Sequence, residues 1–127
     1  NSDLRRQLEQ DEIDIELLQQ LLAAANAEGI ALDSATLEFT YRKNLERNAD
    51  TFASQPTLTG LQSLNRAATA IAMVPFRVNL WKVQNLLYRF IQLFNSDHPK
   101  ASSWCTGDRS RWDSCLRELG EKLAVKV

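Results

Sequence analysis

The chain has 127 residues, 44% of them hydrophobic and 24% charged, with a formal net charge of -1. This is the length of one ordinary domain with enough apolar material for a core, which excludes a chain disordered throughout. The near-neutral balance offers no global attraction for nucleic acid or an acidic membrane, and no apolar run approaches the roughly 18 residues that a spanning helix needs.

The first strong signal is DEIDIELLQQLLAAANAEGI. Asp11 is placed to cap a helix with Asp14 at its third position, and acids in the first turn suit the positive end of the helix dipole. Ile13, Leu17, Leu21 and Ala24 or Ala25 recur at helical spacing, widened by Ile15, Leu18 and Leu22. Gly29 stands where a left-handed cap is wanted, and Ile30 follows it. Leu4 and Leu8 are expected in an earlier turn or an extension of the same helix.

A second helix is predicted from Asp33 or Ser34, with Leu37, Tyr41, Leu45, Ala49 and Phe52 on one face and Arg42, Lys43, Glu46, Arg47 and Asp50 on the other. It ends before Pro56, since proline steers the preceding residue out of helical geometry. A third begins at Thr57 or Thr59 and carries Leu58, Leu61, Leu64, Ala68 and Ile71, with Pro75 marking its end.

PFRVNLWKVQNLLYRF then opens a fourth helix, with Asn79 as its cap and Leu80, Val83, Leu87, Phe90 and Phe94 along one face. Trp81, Leu86, Tyr88, Ile91 and Leu93 spread apolar character around most of its circumference. Such a helix is expected in the middle of a bundle. Residues 95–108 read as a loop, and a last helix from about Ser110 turns Trp112, Leu116, Leu119 and Leu123 inward, with Gly120 as a weak point. The fold class expected is all-α, a bundle of five or six helices forming a single domain over residues 1–127.

Charge is unevenly distributed. Residues 1–38 hold nine acids against Arg5 and Arg6, while the remainder holds seven acids and thirteen Lys or Arg. An acidic beginning that packs beside basic later helices accounts for this without an interaction patch. Cys105 and Cys115 do not make a disulfide framework, so a reduced, cytoplasmic protein is expected. Whether a bridge closes the 105–115 loop stays open.

The residues that draw a functional reading are Trp81, Gln84, Asn85 and Tyr88. On a helix, 81 and 85 share a face, as do 84 and 88, giving the materials of a small polar pocket with an aromatic wall for a sugar or another flat polar ligand. The competing reading is structural: the amides satisfy backbone groups of neighbouring loops while the two rings pack.

Other chemistries are weaker. His98 is the only histidine, stands between Asp97 and Pro99 and has no nucleophile motif near it. A zinc site from His98, Cys105 and Cys115 with Asp97, Asp108 or Asp113 lacks the tight Cys-x-x-Cys type spacing. The acids Asp11, Glu12, Asp14 and Glu16 are explained by helix-start chemistry. The four glycines are isolated, so no phosphate loop is present. Arg66, Arg77, Lys82 and Arg89 interleave with Trp81 and Tyr88, but a pI near 5.8 and the absence of a helix-turn-helix signature argue against nucleic acid.

The run LNRAATAIAMVPFRVNLWKVQNLLYRF, with Pro75, Asn79, Leu80, Trp81, Gln84, Asn85 and Tyr88, resembles the helical C-terminal region of family 57 glycoside hydrolase-like proteins, which are amylase-like or mannosidase-like. In that family a helix ending in a short proline-containing turn is followed by a helix of this pattern. The likeness spans residues 64–90, and the rest of the chain matches only as generic helix.

The resemblance implies an accessory domain beside a barrel-shaped catalytic domain in the same polypeptide, and possible contact with carbohydrate. The family's catalytic carboxylates belong to the barrel, and none maps onto this chain. Together with the start at Asn1 rather than methionine, this leads us to expect a piece of a longer chain. The expectation is a non-catalytic domain with no cofactor, metal, nucleic acid or membrane partner; the alternative is a small helical ligand-binding protein or enzyme using the pocket at 81–88.

Overall fold

A computed structural model describes residues 2–10, 12–95 and 109–125, and every described regular element in it is helical. Asp11, Asp97, His98, Cys105 and Asp108, and with them all of the expected 95–108 loop but Asn95, which is helical, the histidine and zinc readings and the question of a 105–115 bridge, lie outside the described residues.

Among the described residues, six α-helices follow one another: α1 (Ser2–Glu9), α2 (Ile15–Ala27), α3 (Ser34–Ser54), α4 (Leu58–Ala68), α5 (Trp81–Asn95) and α6 (Arg109–Leu123). A 3₁₀ turn over Thr69–Ala72 extends α4. This is the expected all-α bundle. Among the described residues, no helix is long and apolar enough to cross a membrane.

The first helix is separate from the second, and the expected cap is corrected. Asp14, not Asp11, caps α2, its Oδ1 accepting from the Leu17 amide at 3.1 Å. The cause is a long-range clamp. The Asp14 amide donates to Gln7 Oε1 at 2.7 Å, while Asn44 of α3 donates to the carbonyls of Leu8 and Gln10 at 2.6 and 2.8 Å. These contacts hold the connection out of helical geometry. At the far end Gly29 adopts φ 66°, and the Ile30 amide closes back on the Ala25 carbonyl at 2.9 Å.

The sequence places α5 at the centre; the structure places α3 there. Helix α3 packs against α1, α4 and α5 and buries Leu37, Tyr41, Asn44, Leu45, Ala49 and Phe52. Apolar composition around α5 does not mean burial all round, because Trp81, Tyr88 and Leu93 face solvent. Glu46 departs from expectation in the other direction: it is buried, with Lys43 Nζ 3.5 Å from its carboxylate. Among the described residues, the acidic beginning meets a later basic helix in the ion pair of Arg66 with Glu12 at 3.6 Å, while Arg47 reaches the backbone carbonyl of Glu9, at 3.3 Å.

Two features fix the helices around α3. The Tyr41 hydroxyl donates to the Ala67 carbonyl at 2.5 Å, at the point where α4 gives way to the 3₁₀ turn. Burial pushes this phenol far above its ordinary range, and a backbone hydrogen bond with Ile71 only partly opposes that. Beyond it, Phe52, Phe90, Phe94 and Trp112 join α3, α5 and α6. Phe52 meets Phe90 edge-on at 4.7 Å, and Trp112 stacks on Phe90 and Phe94 at 6.2 and 5.8 Å.

Candidate functional site

Helix α5 starts where Asn79 supplies a cap, its Oδ1 accepting from the Trp81 amide at 3.1 Å. The inward face is the expected one, with Val83, Leu87, Phe90 and Phe94 buried. Capped at its start and anchored in the aromatic cluster, α5 presents its opposite face as a fixed surface.

The four singled-out residues do not line one pocket. Gln84 is half-buried and donates from Nε2 to the Leu123 carbonyl at 2.7 Å, closing the end of α6 onto α5. Asn85 donates from Nδ2 to the Trp81 carbonyl at 2.9 Å, one turn back on its own helix. Trp81 is 72% exposed and Tyr88 is 52% exposed. Each amide thus spends a donor on backbone, as the structural reading has it, but the rings do not pack inward.

Trp81 instead stands between two open depressions. One, of about 710 Å³, is walled by Phe76, Arg77, Asn79, Leu80 and Gln84. The other, of about 500 Å³, is walled by Asp50, Lys82, Asn85, Leu86 and Arg89. Lys82 and Asp50 face each other across the second at 3.4 Å. The indole is the feature common to both.

Gln92 is the residue missed from the sequence. It is exposed, and with Trp81, Asn85 and Tyr88 it follows a 4-3-4 spacing, which places all four on the face opposite Val83, Leu87, Phe90 and Phe94. That spacing was legible.

A second concavity lies between α4 and α6, where Asn65, Thr69, Cys115, Glu118 and Lys122 meet. Lys122 Nζ donates to the Asn65 carbonyl at 3.2 Å, to Asn65 Oδ1 at 2.8 Å and to Thr69 Oγ1 at 3.0 Å. Asn65 donates in turn to Glu118 at 2.9 Å. All three ammonium protons have acceptors within the protein, so the cluster fastens α6 to α4. Burial, with Glu118 adding to it, pushes the Cys115 thiol up and keeps it protonated at neutral pH. Among the described residues, no group of three His, Cys, Asp or Glu could hold a metal ion.

No protein-family model, no curated protein and no solved structure matches this chain.

Proposed function

We propose that the chain is a non-catalytic helical accessory or interaction domain, and that it accompanies a glycoside hydrolase-like catalytic domain in one cytoplasmic polypeptide. The observation that carries this reading is the outer face of α5, a rigid surface with an indole 72% exposed beside side chains whose amides are bonded to backbone. Buried rings and unpaired amides converging on a deep cleft would favour an enzyme; an exposed ring on a fixed helix favours contact with a second body. The resemblance of residues 64–90 supplies the carbohydrate context.

The test is to assay the isolated chain against chromogenic glycosides, esters and phosphomonoesters. Rates at the level of buffer are expected. Turnover that survives repurification and disappears in Gln84→Ala or Trp81→Ala would overturn the proposal in favour of a small enzyme working at 81–88.

A further inference from the structure

The solvent face of a surface helix is ordinarily charged. On α5 it is not: Trp81, Asn85, Tyr88 and Gln92, all exposed, run along it as ring, amide, ring, amide. Lys82 and Arg89, seven residues apart, lie together on one flank of it, and Lys82 is already turned to Asp50. From this alternation we infer that the outer face of α5 is a platform for an extended, neutral glycan chain. The inference rests on reading this face as an interaction surface and names the ligand class.

Three features of the stripe match such a ligand. The faces of indole and phenol carry the negative lobe of the ring quadrupole, which attracts the weakly positive C–H faces of a pyranose. Primary amides offer both donors and an acceptor, as a sugar hydroxyl requires of its partner. Asn85 keeps its carbonyl oxygen and second N–H available while its first N–H fixes the group against the Trp81 carbonyl. Finally, seven residues of helix separate Trp81 from Tyr88 by roughly 10 Å. This places one ring under every second sugar of an extended chain, with an amide between them.

Single-stranded nucleic acid would also stack on aromatic rings, but it needs a cationic track for its phosphates. The stripe itself carries no charge, Lys82 on its one cationic flank is paired with Asp50 at 3.4 Å, and the whole chain carries a net -1. The chemistry therefore favours the neutral polymer.

The experiment is calorimetric titration of the intact chain with maltoheptaose, mannohexaose and cellohexaose, with oligo(dT) in parallel. Binding of one glycan class is expected, with affinity rising until the oligomer is long enough to cover both rings. Trp81→Ala and Tyr88→Ala should each weaken it about tenfold while the far-ultraviolet circular dichroism stays unchanged, since both rings are exposed. Asn85→Asp, which keeps the shape but adds charge, should also weaken it.

Absence of saturable binding to all three glycans at millimolar concentration would overturn the inference. So would glycan binding indifferent to Trp81→Ala, or binding to oligo(dT) alone that fades with salt. None of these outcomes touches the turnover assay, so an accessory domain that contacts only protein would remain distinguishable from a failed accessory reading.

Discussion

Asn44, in the middle of α3, donates to the Leu8 carbonyl at 2.6 Å across 36 residues of sequence. The same amide group reaches Gln10, and its own oxygen accepts from Asn48 at 2.6 Å. One side chain thus serves the free carbonyls at the end of α1, which no residue of α1 can reach. Replacing it with alanine strands buried acceptors, at a cost of about 1–3 kcal/mol. Asn44→Ala is expected to lower the urea midpoint and to speed amide exchange in α1 before it does so in α4 or α6. Equal acceleration everywhere would contradict a local role for the clamp.

Tyr41 gives a prediction in pH. Its folded pKa is raised, so ionisation favours the unfolded chain. Its contribution is therefore intact below the unfolded value of about 10 and is lost as the pH climbs through that value toward the folded one, by up to about 1.4 kcal/mol per pH unit. Tyr41→Phe should cost about 1 kcal/mol at neutral pH through the lost bond to Ala67. It should also flatten the fall in stability above pH 10. Urea midpoints at pH 7 and at several values above 10 measure both effects, and parallel curves would show that the phenol does not control alkaline unfolding.

Phe90 touches Phe52, Phe94 and Trp112 and so belongs to three helices' packing at once. Phe90→Ala should destabilise by about 3–5 kcal/mol. Phe90→Leu, which keeps most of the volume, should cost much less. Chemical denaturation of the two variants separates lost packing from a general intolerance of this position.

Two helix ends should respond in opposite directions to exchange of glycine and alanine. Gly29 has φ 66° and nothing within 4 Å of an added Cβ, so Gly29→Ala meets backbone strain alone and should cost about 1 kcal/mol. Ala124 has φ 58° at the end of α6, where the Val125 amide bonds to the Gly120 carbonyl at 2.8 Å. Ala124→Gly should relieve that strain, raising stability by up to about 1 kcal/mol less the entropy gained by the unfolded chain. Melting temperatures that shift in the same direction would refute this account.

The sequence made helix limits legible wherever the signal is local. Asp33, Thr57 and Asn79 cap as expected, and Gly29 takes the left-handed conformation. It misled where the cause is distant. A helix start after Leu8 was legible, but its cap was placed at Asp11 rather than Asp14, because the Gln7 and Asn44 contacts that shape the connection, the latter from more than thirty residues away, leave no local mark. Periodicity also cannot say which helix has neighbours on several sides, which is why α5 was expected at the centre and α3 is found there. In the candidate site, the helical phase of Trp81 and Asn85 was legible, but the partner of Gln84 was not, because Leu123 lies 39 residues later.

The fastening of Lys122 to Asn65 and Thr69 bears on how the chain is made. The partners lie 53 and 57 residues apart, and the acceptors are synthesised long before the donor. Until α6 has left the ribosome, the faces of α4 and α5 that it covers lack that partner, and contacts of such sequence separation form late. A nascent chain halted before Arg109 would hold α1 to α3 but expose Phe90 and Phe94. The covering of these two rings by Trp112 therefore waits on α6, and the time between synthesis of α5 and arrival of α6 is when Phe90 and Phe94 lack that partner.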